Sequence, residues 1–523
     1  MDGTEEFDYI IVGGGSAGCV LAARLSEDPS VTVCLLEAGP SDVDDPKILA
    51  LERWPRLLGS SYDWDYPIEP QTRGNSFVRH SRARVLGGCS SHNSCIAFWP
   101  PREDLDEWAA LGCTGWRADD CWPLIARLEN SDGPGDHHGR TGPVTLRQIP
   151  PHDPCGVAVL AAAAAVGLPT VRFNEGATVT EGAGFFQINA DEHNTRSSSS
   201  RGYLHPIMGR RSNLVVRTDA WVKQVLFDAD KRATGAEYFE SGRSATAHTR
   251  REVILSAGAI DTPKLLMLSG IGPTEHLRDV GIGVLVDSPG VGSNLDDHVE
   301  GLVMWEASKP MVTRSTQWWE IGLFSRTEPG LDRPDLMMHY GSVPFDMNTV
   351  RWGYPTTSNG FCLTPNVTRG RSRGTVRLRS RDFRDRAKVD PRYFTDPEDH
   401  DITVMLAGIT LARGIAAQPA LRGWIERELA PGPEAVADDE LIDYIAKTHN
   451  TVYHPAGTAR MGAGNDPGAV VDARLRVKGV TGLRVADASV MPLLPAVNPN
   501  ITVMMIGEKA SDLVAQDTGQ RRV

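Results

Sequence analysis

Three glycines at a fixed spacing, Gly13-x-Gly15-x-x-Gly18, are the first residues of this chain whose type and order imply chemistry. The first allows a tight turn, the second lets backbone approach a pyrophosphate, and the third lets helix and strand pack closely. Glu37 follows as a carboxylate able to accept hydrogen bonds from ribose hydroxyls. The elements that must position these groups surround them. Tyr9–Val12 is a short apolar run, Ser16 and Ala17 open an Ala/Leu-rich helical segment, and a second apolar run, Val31–Leu36, ends at Glu37. An isolated glycine pattern would equally fit a turn in another α/β protein; strand, turn, helix, strand and acid together form a βαβ dinucleotide fingerprint. The helix N-terminus adds free N–H groups and the positive end of a dipole for phosphates.

At 523 residues the chain is long enough for two or more domains. Its hydrophobic content of 41% and charged content of 23% are those of a soluble globular protein. A net charge of −13 argues against nucleic acid or an anionic membrane as partner and mildly favours a small cationic ligand. The acidic start runs into the first strand without a signal peptide, and no apolar stretch reaches membrane-spanning length, so a cytoplasmic location is expected. Cysteines stand at 19, 34, 89, 95, 113, 121, 155 and 362 with no CxxC pair, which fits reduced thiols. The sequons at Asn366 and Asn500 are then chance matches. His137 and His138 lie in a Gly/Pro/Asp loop without a ligand-spaced partner and read as surface; no metal site is expected.

Residues 41–80 are polar, Pro-rich and Trp-containing, as in a long loop or lid, and 104–130 look helical. Strands are expected over 213–228, 251–256, 335–340, 374–380 and Leu483–Val485. Helices are expected from Thr262 to Ser269, over about 400–450, and from Ile501. Asn498 followed by Pro499 reads as the cap of that last helix, with proline at its first position. Arginines between Arg369 and Arg392 alternate with Val376 and Leu378 and should cover a solvated strand face.

Further blocks follow the fingerprint: ARVLGGCSSHN at 83–93, GAIDTPKLLMLSGIG at 258–272, and RVADASVMP at 484–492 followed by Asn498-Pro499-Asn500. With them the chain resembles the glucose–methanol–choline (GMC) oxidoreductases, FAD-dependent alcohol oxidases and dehydrogenases, over nearly its whole length. SSHNSCIAFW (90–99), STQWWEIG (315–322), LDRPDLMMHYGSVPFDMNT (331–349) and KTHNTVYHP (447–455) are similar to the choline-oxidising members. The resemblance implies a mixed α/β fold. A discontinuous Rossmann-like FAD-binding domain would take residues 1–152, 190–299 and 452–523, and an antiparallel-sheet substrate domain 153–189 and 300–451. It implies FAD rather than NAD. Glu37 would meet the adenosine ribose and Val222 the adenine side. Arg84, Val85, Gly87, Gly88, Ser91, Asn93 and Ser94 would run beside the isoalloxazine, and Asp487 and Ala488 would lie near the ribityl and pyrophosphate. The helix opened by Asn498 and Pro499 would aim its positive end at the flavin pyrimidine. His92 matches the histidine attached covalently to FAD, a bond that withdraws electron density from the flavin.

An alcohol gives up hydride more readily as an alkoxide, so the site needs a base and oxyanion donors. His454, extended before Pro455, matches the family's base; Asn498, His339 and Ser94 match the groups around the alcohol oxygen. A trimethylammonium group has no N–H, so a carboxylate and aromatic faces must hold it. Glu300 matches that carboxylate, Trp54, Trp319, Phe345 and Tyr453 form the expected cage, and Val452 matches a residue on the oxygen-reaction face. His298 either orients the site or is structural. The implied activity is oxidation of choline to betaine aldehyde and on to glycine betaine, with hydride passing to flavin N5 and O2 reduced to H2O2, in a homodimer. A GMC enzyme for another primary alcohol and a flavin-dependent lyase on the same fold are the alternatives. The sequence departs from the family pattern at PLLPAVNPN (492–500), at Val299 and over 41–53.

Overall fold

The computed structural model describes residues 5–176 and 179–519. Two large sheets organise them. The first has the order Trp221–Phe227, Ala233–Glu240, Arg243–Leu255, Glu5–Val12, Val33–Leu36, Leu214–Arg217, with Leu483–Val485 also paired to Arg243–Leu255. Its centre is parallel: Glu5–Val12 lies between Val33–Leu36 and the second half of Arg243–Leu255. The second sheet is antiparallel, in the order Ile425–Ala430, Val303–Ala307, Gly360–Val367, Leu336–Gly341, Trp319–Ser325, Gly182–Phe185. Val299–Glu300 joins it through Asn366 and pairs with Asn450–Thr451.

Buried apolar residues on Glu5–Val12 and Val33–Leu36 make a parallel core that helices cover. The Ser16–Leu25 helix packs on the last helix, Asn500–Thr518. Glycine is required on both sides of that first helix: a Cβ at Gly507 of the last helix would sit 2.8 Å from the Ala17 carbonyl oxygen, and one at Gly18 would sit 2.0 Å from the Gly13 carbonyl oxygen of the preceding turn. Among the described residues no helix is long and apolar enough to cross a membrane, and all eight cysteines are free.

Several expected elements are divided. Residues 104–130 form two helices, Arg102–Ala110 and Ala118–Leu128, because the Gly112–Gly115 stretch turns the chain between them. Residues 213–228 form two strands that break at Asp219, which has a φ of 55°. Helices His400–Ala416 and Asp438–Thr448 flank the Ile425–Ala430 strand, so 400–450 is not one helical region. Of 374–380 only Thr375–Arg377 is strand. The 41–80 segment is docked rather than open: Ile48, Leu51, Trp54 and Leu57 are buried, and Trp54 Nε1 donates to the Gln317 carbonyl at 2.7 Å. His137 is exposed, but His138 is buried with Nδ1 2.8 Å from Glu129 Oε1, so the pair is not simply surface. The arginine run is only partly a solvated face: Val376 and Leu378 are buried and Arg371, Arg379, Arg384 and Arg392 are exposed, whereas Arg369, Arg373 and Arg377 are half-buried and engaged by Asp104, Asp296 and the Val291 carbonyl.

Candidate active site

One elongated cavity, with about 1980 Å³ of empty space including its mouth, runs from the glycine turn to the edge of the second sheet. Gly13, Gly15, Ser16, Ala17, Glu37 and Val222 line one end, with Ala488 and Asp487 alongside. Glu37 is buried and its two oxygens accept from the backbone N–H of Gly14 (2.8 Å) and Gly39 (2.7 Å). Burial raises its pKa to about 7, and those two hydrogen bonds oppose the rise. Asp487 faces protein as well as cavity: Oδ2 accepts from Thr262 Oγ1 at 2.6 Å and Gly258 N at 2.9 Å. This end also holds groups that the sequence did not single out. Trp221 lies 5.1 Å from Trp64 and 5.0 Å from Phe383 between ring centroids, with Lys264 Nζ 5.6 Å from its ring. Resemblance points to Val222 alone, yet Trp221, its neighbour on the Trp221–Phe227 strand, lines the cavity as well.

Gly88, His92, Asn93 and Ser94 line the middle of the cavity; Gly18, Arg84, Val85, Gly87 and Ser91 do not. Gly18 is taken up by the close approach of its helix to the Gly13 carbonyl and Ser256. Gly87 turns at a φ of 87° with its N–H on the Gly14 carbonyl, Arg84 stacks over Trp64, Val85 packs with Ile48 and Leu57, and Ser91 is 3.2 Å from Asp42. These residues shape the wall from behind. His92 is buried with Nε2 3.1 Å from the Leu57 carbonyl oxygen and 4.0 Å from Asp63. Burial lowers its pKa to about 4, against the pull of Asp63, so the imidazole is neutral and keeps a lone pair.

The far end gathers His454, Asn498, His339, Glu300, Val452, Tyr453, Trp54, Trp319, Phe345 and Pro499. A short antiparallel ladder sets His454 in place: Asp296 and Ala456 exchange backbone hydrogen bonds, Val452 N donates to the His298 carbonyl, and Val299 faces Thr451. Asp297, absent from the sequence-based candidates, accepts from His454 N at 2.9 Å and from Thr451 Oγ1 and Tyr393 OH at 2.6 Å each. The signal for it is the density of ionisable groups in Asp296-Asp297-His298-Val299-Glu300.

His454 Nδ1 lies 2.9 Å from His298 Nδ1, and its Nε2 lies 3.4 Å from Asn498 Nδ2. An amide N–H donates, so Nε2 of His454 accepts, which assigns the ring proton to Nδ1 and directs it at His298. Burial, with His298, His339 and Arg82 nearby, holds His454 well below the usual histidine range. Asn498 is therefore not a helix cap: the last helix starts at Asn500, Pro499 occupies the cap position, and the Asn498 amide turns to His454.

His339 sits mid-strand on Leu336–Gly341, with Nδ1 3.3 Å from Asn366 Nδ2 and 3.8 Å from Glu300 Oε1. Burial lowers His339 to about 4 and raises Glu300 to about 8, with Thr364 and Asn450 pulling Glu300 partly back. The aromatic wall is continuous: Trp54–Trp319 at 5.3 Å and Trp319–Phe345 at 5.6 Å, both edge-on. Tyr453 adjoins it with a φ of 65°. No group of three or more His, Cys, Asp or Glu among the described residues could hold a metal ion. The donor set suits a dinucleotide at one end and, at the other, a small cation bearing a group that can lose a proton.

Two family models described as GMC oxidoreductase match residues 7–300 and 370–507, so the chain belongs to the GMC oxidoreductases. It is 65% identical to a choline oxidase of Arthrobacter globiformis over 97% of this chain and 94% of that one. It is 36% identical to the mitochondrial choline dehydrogenase of Homo sapiens over 98% of this chain and 90% of that one. Among solved structures, pyridoxine 4-oxidase from Mesorbium loti superposes with a TM-score of 0.90 at 33% identity, covering 98% of this chain and 100% of that one.

The raised pKa of Glu300 gives a stability test. Between its ordinary value near 4.5 and about 8, the folded protein keeps a proton that the unfolded chain has lost, so ligand-free stability falls as pH rises through that window. The melting temperature of Glu300→Gln relative to the parent should climb from pH 5 to 8 and then level off. A pH-independent difference would place the titration elsewhere.

Proposed function

We propose that this chain is an FAD-dependent choline oxidase that converts choline to betaine aldehyde and then to glycine betaine. The observation that carries the reading is Glu300, a buried carboxylate between an aromatic wall and the His454–Asn498 pair. No lysine or arginine side chain forms an ion pair with it among the described residues, so a ligand cation is the natural partner. The strong similarity to the Arthrobacter choline oxidase supports the same substrate.

The chemistry that FAD would supply when bound is hydride acceptance at N5 and return of the two electrons to dioxygen as hydrogen peroxide. Gly13, Gly15, Ser16, Ala17, Glu37 and Val222 would hold its adenosine and pyrophosphate, with Gly88, His92, Asn93, Ser94, Asp487, Ala488 and Pro499 along the rest. His92 would carry it covalently; a neutral imidazole is the form that can make that bond. Choline binds with its cation on Glu300 and against Trp54, Trp319, Phe345 and Tyr453, each ring adding about 0.5–2 kcal/mol. His454 Nε2 takes the hydroxyl proton, and the imidazolium that forms shares its Nδ1 proton with His298. Asn498, His339 and Ser94 stabilise the alkoxide, and Val452 borders the space where oxygen reacts. The hydrated aldehyde presents a second hydroxyl to the same base. The working unit is a cytoplasmic homodimer, each chain divided into the FAD-binding and substrate domains described above.

A choline dehydrogenase would use the same residues with another electron acceptor, as the name of the human relative indicates for that protein. A lyase has no use for Glu300 and its aromatic wall.

Aerobic choline should yield hydrogen peroxide faster than an artificial acceptor yields reduced dye; reduced dye without peroxide would reassign the protein as a dehydrogenase. In the same assay Glu300→Gln should raise the KM for choline strongly and that for a neutral alcohol little, whereas equal losses would remove the cation site. His454→Ala should lower kcat by roughly 10²–10⁴-fold; a near-normal rate would take the base role from it. Acid-precipitated parent should stay yellow and His92→Ala precipitate colourless, and a colourless parent pellet would rule out the covalent bond.

A further inference from the structure

The segment that presents Asn498, residues 492–497, has no helix or strand of its own. Its backbone is gripped at three points. Trp108 Nε1 donates to the Leu493 carbonyl at 2.9 Å, Leu494 N donates to Asp296 Oδ2 at 3.3 Å, and Ala496 N donates to Asp104 Oδ2 at 2.7 Å. Asp104, Glu107 and Trp108 share one face of the Arg102–Ala110 helix at i, i+3 and i+4. Two arginines fork across that face. Arg333 reaches Asp104 Oδ1 at 2.9 Å and Glu107 Oε2 at 2.5 Å, and Arg369 reaches the same two oxygens at 3.0 and 3.1 Å.

Both arginines flank the strands around His339. Arg333 comes just before Leu336–Gly341, and Arg369 just after Gly360–Val367, whose Thr364 is the register partner of His339. The cluster therefore ties the strand pair under His339 to the segment that delivers Asn498. Such a cluster is a weak source of net stability, because desolvation of buried charges offsets most of their attraction. What it supplies is geometry: two forked arginines fix a carboxylate in position and angle.

We propose that Asp104 is a positioning residue for the reaction: clamped by Arg333 and Arg369, it holds the Ala496 N–H so that the Asn498 amide stays against His454 Nε2 and the alcohol oxygen. The contact it guards has little slack. At 3.4 Å, Asn498 Nδ2 to His454 Nε2 is near the outer limit of a hydrogen bond, and only Val497 separates Asn498 from the gripped residue. This proposal rests on the reading of Asn498 as a group that touches the alcohol.

The test is a double-mutant cycle in flavin-loaded protein. Asp104→Ala should lower kcat about 10–100-fold through misplacement of Asn498. The KM for choline should stay within about twofold, because Glu300 and the aromatic wall are carried by other segments. Asp104→Ala/Asn498→Ala should then be no slower than Asn498→Ala alone. Arg369→Lys, which keeps the charge and loses the fork, should lower kcat in the same direction by a smaller factor. If the double variant is slower than Asn498→Ala by the full factor of Asp104→Ala, Asp104 acts elsewhere and the clamp is wrong while the reading of Asn498 stands. If Asn498→Ala turns over normally, that reading fails and takes the clamp with it. Should Asp104→Ala not fold, Arg369→Gln at the half-exposed edge replaces it in the cycle, where a non-additive loss supports the clamp and an additive loss overturns it.

Discussion

Burial of ionisable groups is the constraint on which this structure depends. His454, His298, His339 and Glu300 are buried side by side in one region, and burial is the largest force on the protonation of each. Burial favours the neutral form of all three imidazoles and the protonated form of the carboxyl. A base that must accept a proton at neutral pH is useful only if it is unprotonated beforehand, and a lone carboxylate attracts a cation strongly only where water does not screen it. Both requirements are met by the same act of desolvation.

The two sheets exist, in functional terms, to close that region from opposite sides. The parallel sheet brings the glycine turn, Glu37 and the last helix to one wall, and the antiparallel sheet brings His339 and the Glu300 segment to the other. Neither wall is complete alone. The chain crosses between them repeatedly, so residues far apart in sequence, such as Ser16 and Asn500 with their 2.8 Å hydrogen bond, end side by side.

The nucleotide end is legible in the sequence because its signal is local: strand, glycine turn, helix and acid occupy some thirty consecutive residues, Tyr9 to Glu37. His454, Asn498, Glu300, His339 and the four aromatic residues are legible only through resemblance, and all of them line the one cavity. The departures have physical causes. Asn498 before Pro499 has the composition of a helix cap, but the nearby His454 competes for its amide, and tertiary contact overrides local propensity. The arginines from Arg369 on have the spacing of a solvated strand, and most are exposed, yet the buried carboxylates of Asp104 and Asp296 draw Arg369 and Arg373 inward. His138 has the surroundings of a surface residue, but Glu129, nine residues earlier, supplies a buried partner. In each case the deciding group lies outside the window in which periodicity or capping can be read.

The Asp296–Glu300 run has an unequal burden that bears on how this scaffold can change. Asp296, Asp297 and His298 each hold some other part of the catalytic frame, whereas the Glu300 carboxylate and the rings of Trp54 and Phe345 face the substrate space. Trp54 and Phe345 also sit in segments outside the two large sheets. Variation at Trp54 and Phe345 leaves the contacts among His454, His298 and Asn498 in place, whereas Glu300, 3.8 Å from His339, is shared between the two tasks. The aromatic wall is thus separable from the histidine frame, and a lineage, or an engineer, can exchange those rings while inheriting the frame intact.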